Sequence, residues 1–220
     1  MTAFRIAALV AATFATGLIA GLFFSYVNSV MPALNRTDDR TMIDVMQKIN
    51  VVIINPAFMI GFMGTVAFSL LAAALHLGKD HRTTLIWIAV ALVLNVIAFA
   101  VTSGLNVPLN DQLAGAGDPA AIVDLAQVRA DFESAWVRWN TVRAILHTLA
   151  FLVLIGALFV AGMQHARNTA SATGAAVDSA QGRFVAQPAP QQSQVPGQFS
   201  AQQVHGQYPG QFGAPGHRWT

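Results

Sequence analysis

Four long apolar runs, covering residues 4–30, 51–77, 85–103 and 144–163, constrain this chain more than any other feature. Each is long enough for the about 20 residues with which a helix crosses about 30 Å of hydrocarbon at 1.5 Å per residue. The runs predict an all-α, integral membrane four-helix bundle. Of the 220 residues, 55% are hydrophobic and only 10% are charged, against about 25% charged in an ordinary soluble domain. A mean hydropathy of +0.53 fits a chain that lives mostly in lipid. The stretch after Arg5, about Ile6 to Val30, outlasts the 7–15 apolar residues of a signal peptide and no small-x-small cleavage site follows it, so it is expected to be a retained first span.

Other classes fall away by composition. No basic stripe with interleaved aromatics supports nucleic-acid binding. The absence of cysteine removes disulfides, thiolate metal sites and cysteine nucleophiles. No Asp or Glu lies inside a span, as a proton- or cation-coupled carrier would ordinarily require, so a small exporter is disfavoured. The histidines show no i, i+3 or i+4 pairing, and no phosphate loop or nucleophile motif appears. The expected cofactor is therefore none, with no metal.

The connections differ in character. A tight basic turn, Gly78 to Thr84, joins the second and third runs, whereas two longer loops fall together on the opposite side. Within the first of these, Met42, Val45, Met46 and Ile49 recur at helical spacing, with Asp38 or Asp39 as a cap. The second opens with Asn106-Val107-Pro108-Leu109-Asn110, expected to be extended. Its later stripe of Ile122, Leu125, Val128, Phe132 and Trp136 predicts a helix starting at Pro119, capped by Asp118, or after a bend at about Asp131. This divides the chain into a four-span membrane domain, 1–167, and a Gln/Pro/Gly-rich tail, 168–220, expected to be disordered. The short basic turn and the tail point to a multi-pass protein of a bacterial-type plasma membrane with both termini cytoplasmic.

Alternation of four spans places three polar groups on one side: Asn50 and Asn55 before the second run, Asn106 and Asn110 after the third, and Asn140 and Arg143 at the start of the fourth. Trp136, Asn140, Arg143 and His147 stack on one helical face by their spacing. Each residue has a plainer reading beside the functional one. Trp139 and Trp136 suit an interfacial belt and Arg143 a snorkelling cation. Asn50, Asn55 and Asn106 suit loop ties, and mid-span Asn95 an interhelical hydrogen bond. Gly17 and Gly21, with Ala57, Gly61 and Gly64 on the second span, supply small faces for close helix packing.

Gly21-Leu22-Phe23-Phe24-Ser25-Tyr26, Val30-Met31-Pro32-Ala33-Leu34, Met46-Gln47-Lys48-Ile49-Asn50 and Asn55-Pro56 follow one another in an order that resembles the anthrone oxygenase family. Asn106 to Asn110 and Trp136 to Arg143 continue the resemblance, which spans about residues 5 to 165. It implies a small four-helix membrane protein whose fungal relatives oxidise a polyketide anthrone to an anthraquinone with molecular oxygen. A deprotonated anthrone can reduce oxygen without a metal or flavin. The residues suit such chemistry: His147 as general base, Arg143 as stabiliser of an oxyanion, Asn50, Asn55, Asn106 and Asn140 as ligand-orienting amides, and Trp136 or Trp139 as a stacking wall. The expected partners are a hydrophobic small molecule and membrane lipid. A non-enzymatic scaffold or lipophile-binding protein is the alternative.

Overall fold

A computed structural model describes residues 2–185, all helices and turns with no strand among them. The chain divides into a unit Met1–Gly174, which holds everything that follows, and a second unit Ala175–Thr220, of which residues 175–185 are described and helical. The elements are α1 (Thr2–Ser25), a π-helical turn (Tyr26–Val30), α2 (Met31–Leu34), α3 (Asp39–Val52), α4 (Pro56–Leu75), a 3-10 turn (Lys79–His81), α5 (Arg82–Val101), a second π turn (Thr102–Asn106), α6 (Val107–Gly115) and α7 (Leu125–Val185). Four helical stretches are long and apolar enough to cross a membrane. α7 takes in the first residues of the segment expected to be disordered, where Ala-rich sequence favours a helix. The repeats beyond Val185 lie outside the described residues.

The interior is small and polar while the exterior is large and apolar. Ala8, Ala12, Ala72, Ala91, Ala150 and Ala157 form a buried cluster with Leu9, Ile88 and Leu154, drawing on α1, α4, α5 and α7. Phe4, Phe14, Leu18, Ile60, Leu70, Val93, Leu152 and Phe159 face outward. Lipid removes the hydrophobic gain of burying large side chains, so close backbone approach through small ones dominates. Gly17 fits that rule, because a Cβ there would come within 2.7 Å of the Phe151 ring. A Cβ at Gly61 would lie 3.5 Å from Ile19 and one at Gly64 3.5 Å from Ala15 across the α1–α4 contact, the latter also meeting the Phe68 ring at 2.8 Å. A Cβ at Gly21 would meet nothing within 4 Å, so only the first glycine of that pair is required by packing.

At one end the loops are structured. Asp38 caps α3 through Thr41 N (3.0 Å), as its spacing predicts. Met42, Ile43 and Met46 of α3 are buried with Leu113 of α6 and with Phe132 and Trp136 of α7. Gln47 Nε2 ties α3 to the end of α6 through Leu113 O (2.8 Å) and Gly117 O (3.0 Å). Gly117 adopts φ +83°, a left-handed residue just past the helix end that a side chain would strain.

Two expectations need correction. Asn106 to Asn110 is helical, not extended: the third span continues through the second π turn into α6. Pro108 lacks an N–H and crowds the preceding carbonyls, and the wider π turn ahead of it relieves both effects without ending the helix. The same arrangement precedes Pro32, where Met31 N–H bonds to Tyr26 O. The helix containing the aromatic stripe starts at Leu125, later than Pro119. Asp118 caps only a turn, through Ala120 N (2.8 Å), while Asp124 Oδ1 accepts from Gln127 N (2.9 Å) in the first turn of α7.

Candidate functional site

The inward face of α7 is buried along its polar length: Asn140 and His147 are 0% exposed, Trp136 4% and Arg143 5%. Arg143 lies between aromatic faces, its Cζ 4.1 Å from the centre of the Phe23 ring and 5.6 Å from that of Trp136. Its Nη2 donates to Asn140 Oδ1 (3.0 Å) and its Nη1 reaches Thr102 Oγ1 (3.5 Å). Asn140 in turn donates through Nδ2 to Phe23 O (3.2 Å), linking α7 to α1. The ion pairs among the described residues are Lys48–Asp44, Arg129–Asp39 and Arg129–Glu133. Arg143 is therefore a buried cation without a carboxylate, which aromatic faces stabilise only in part.

This cation opens onto a cavity of about 100 Å³. Phe23 and Tyr26 form one wall, Asn50 and Ile53 a second, Thr102 and Asn110 a third, and Trp136, Asn140 and Arg143 a fourth. Ile54 (70% exposed) and Val107 (42%) form an apolar lip. Pockets for whole drug-sized ligands occupy about 300–1,000 Å³. The space here lies below that range and can enclose only part of such a ligand. Trp136 is held by Nε1–H to Asn110 Oδ1 (2.7 Å), its ring 5.6 Å from that of Tyr26.

The sequence-predicted residues divide into three groups. Asn50, Trp136, Asn140 and Arg143 line the cavity together. Asn106 and His147 are fully buried but do not line it: Asn106 Nδ2 donates to Trp136 O (3.3 Å), and His147 packs against the Phe23 ring at 5.5 Å. Asn55 and Trp139 stand apart. Asn55 is exposed and caps α4 through Phe58 N (3.1 Å), while half-buried Trp139 takes the Arg138 guanidinium on its face at 5.1 Å. For these two the structure provides a helix cap and a surface stack.

Buried polar atoms nearly always find partners, so those that do not call for an explanation. Among the described residues four side-chain atoms are buried and unpartnered: Asn50 Nδ2, Asn106 Oδ1, Arg143 Nε and His147 Nε2. Three of the four belong to the polar groups that alternation of the spans places on one side, and His147 lies one helical turn beyond Arg143 on the same face of α7. The other ring nitrogen of His147, Nδ1, pairs with Asn95 Oδ1 at 3.0 Å.

Sequence reasoning missed Phe23, Tyr26, Thr102 and Asn110 as cavity residues. A signal was present for two of them. Tyr26 and Thr102 each stand six residues ahead of a proline that follows an apolar run, Pro32 and Pro108, and each opens a π turn and lines the cavity. Such turns are frequent at functional sites because they re-aim side chains.

Residues 54–153 match the family model described as anthrone oxygenase. The match takes in α4, α5, α6 and the first half of α7, with Asn106, Asn140, Arg143 and His147, but not Tyr26 or Asn50. No curated protein and no solved structure matches the chain.

Proposed function

The chain belongs to the anthrone oxygenase family through residues 54–153, and from that premise we propose that it oxidises a hydrophobic phenolic or polyketide ring with molecular oxygen. The observation that carries this reading is that the buried Arg143, without a carboxylate partner among the described residues, opens onto the cavity beside Asn50 and Asn140, with its own Nε and Asn50 Nδ2 buried and unpartnered. A cation in that setting favours an anion. The enolate or phenolate oxygen of a deprotonated anthrone supplies one on an otherwise apolar body.

Arg143 stabilises that oxyanion as it develops, a preorganised electrostatic role. His147 accepts the proton from the ring carbon. Asn50 and Asn140 orient the ligand, Asn106 supports them, and Trp136 stacks on it. The carbanion-like ring then reduces oxygen: the methylene carbon loses two hydrogens, one oxygen atom becomes the new carbonyl and the other leaves as water. His147 stands behind Phe23, so a ligand edge meets it only when that ring yields. In this reading the four spans pack as a bundle in a bacterial-type plasma membrane with both termini cytoplasmic. The cavity then sits at the outer end, and a hydrophobic substrate arrives along the lipid-facing lip.

A non-enzymatic lipophile-binding or scaffold reading draws on Asn55, Asn106 and Asn140, each of which bonds to backbone. Oxygen uptake by purified protein supplied with an anthrone separates the two. The oxygenase reading expects uptake to collapse in Arg143→Ala and in His147→Ala. Equal rates for wild type and both variants would sink it.

A further inference from the structure

His147 has two chemically distinct ring nitrogens, and only one that carries a free lone pair can accept a proton. Which nitrogen that is depends on what the other one bonds. His147 Nδ1 lies 3.0 Å from Asn95 Oδ1, both fully buried. An amide can present either its oxygen or its NH2 to a ring, so the orientation of Asn95 decides the tautomer.

That orientation is set by α4. Asn95 Nδ2 lies 3.2 Å from the backbone carbonyl Thr65 O, which can only accept. It also lies 3.3 Å from Ser69 Oγ, whose own proton is directed to the same Thr65 O at 2.6 Å, so Ser69 offers Asn95 a lone pair. Thr16 Oγ1 of α1 is a third acceptor at 3.2 Å. A flipped amide would set oxygen against a carbonyl oxygen and a committed hydroxyl. The NH2 therefore faces α4 and α1, and Oδ1 faces His147.

We propose that Asn95 is a positioning residue that fixes His147 as the Nδ1–H tautomer, leaving the lone pair on Nε2, the unpartnered nitrogen. The backbone carbonyl of Thr65 orients the amide, the amide oxygen accepts Nδ1–H, and Nε2 is presented as the base. The geometry stands without any assumed reaction; its catalytic meaning rests on His147 acting as the base in the proposed oxygenation. A purely structural interhelical hydrogen bond would set the same tautomer but leave kcat unchanged on its loss, and this separates the two roles.

The test is nitrogen-15 spectroscopy of the full chain, labelled at histidine and held in lipid nanodiscs, with the His147 ring assigned by its loss in His147→Gln. The expected result is a protonated Nδ1 and an unprotonated Nε2 in the wild type. An Nε2–H ring there would overturn the proposal before any variant is made. In Asn95→Leu the ring is expected to leave the pure Nδ1–H state, and kcat for oxygen uptake with an anthrone to fall about tenfold or more at unchanged KM. A ring still wholly Nδ1–H in that variant would mean that another group sets the tautomer, and would overturn it too. Ser69→Ala, which leaves Thr65 O in place, is expected to keep the Nδ1–H ring. A wild type with the expected tautomer but no oxygen uptake would remove the oxygenase reading and leave the role of Asn95 standing.

Discussion

Arg143 holds its guanidinium carbon 4.1 Å above the ring of Phe23, while its Nε, though buried, has no partner. Both residues line the cavity, Phe23 as an aromatic wall beside the cation, and Arg143 is a residue whose removal separates function from stability. Replacing an unpaired buried charge with an apolar chain of similar length is often neutral or stabilising. Arg143→Met is therefore expected to keep or raise the thermal midpoint in detergent while oxygen uptake with an anthrone falls about 100-fold or more. A scaffold role predicts the reverse, a lower midpoint with ligand binding intact.

Phe23 also packs against His147, at 5.5 Å between ring centres. If it screens His147 from the cavity, trimming it to Phe23→Leu should expose that histidine to a small acylating reagent. Carbethoxylation of His147, followed by mass spectrometry in nanodiscs, is expected to be slow in the wild type and several-fold faster in the variant. Equal rates would show that the histidine reaches the cavity by another route. The lost cation–π contact should weaken the grip on Arg143 by about 0.5–2 kcal/mol.

Much of this arrangement is legible in the sequence because lipid enforces it. Span length alone gives four helices, alternation alone gives the side on which Asn50, Asn106, Asn140 and Arg143 meet, and i, i+3, i+4 spacing alone aligns Trp136 with His147. What escaped was local. Pro108 reads as a helix breaker, yet the π turn at Thr102–Asn106 absorbs its missing N–H and carries the helix on. Asn55 reads like the other asparagines, but it sits immediately before Pro56 and spends both ends of its amide on capping, donating to Val52 O (3.0 Å) and accepting from Phe58 N (3.1 Å). Trp139 is one residue from Asn140, and a 100° rotation per residue is enough to turn it away from the cavity.

The loop end depends on a second arginine. Arg129 Nε donates to Glu133 (2.6 Å), Nη1 to Thr37 O (2.9 Å) and Asp39 (3.0 Å), and Nη2 to Asn35 O (3.1 Å). Asn35 closes the ring by donating to Glu133 at 2.9 Å. With its side chain only 13% exposed, Arg129 clasps the α2–α3 connection to α7 and so fixes the loop that leads to Asn50. Arg129→Met should cost about 1–3 kcal/mol, seen as a lower midpoint and faster tryptic cleavage after Arg36 and Arg40. Adding Glu133→Gln should cost less than its effect alone, since both act on one network; full additivity would dissolve the clasp.

The opposite end responds to pH. His76 is buried at the close of α4, and its Nδ1 donates to Ala72 O at 2.7 Å. Burial holds it below the ordinary histidine range, outweighing the support of that carbonyl, and the neighbouring His81 and Arg5 push the same way. His81 stands edge-on at 5.7 Å and Arg5 Nη1 bonds to His81 Nε2 at 2.6 Å, while Asp80 and His165 line the same recess. The folded chain thus resists a proton at His76 that the unfolded chain accepts near pH 6.5. This contribution leaves stability intact above about pH 6.5 and removes it as the pH falls through that value toward the depressed folded one. The thermal midpoint of the wild type in detergent is expected to drop between about pH 7 and pH 5. In His76→Gln, which keeps a donor for Ala72 O and cannot titrate, the drop should be shallower. Parallel curves for the two proteins would place the pH dependence elsewhere in the molecule.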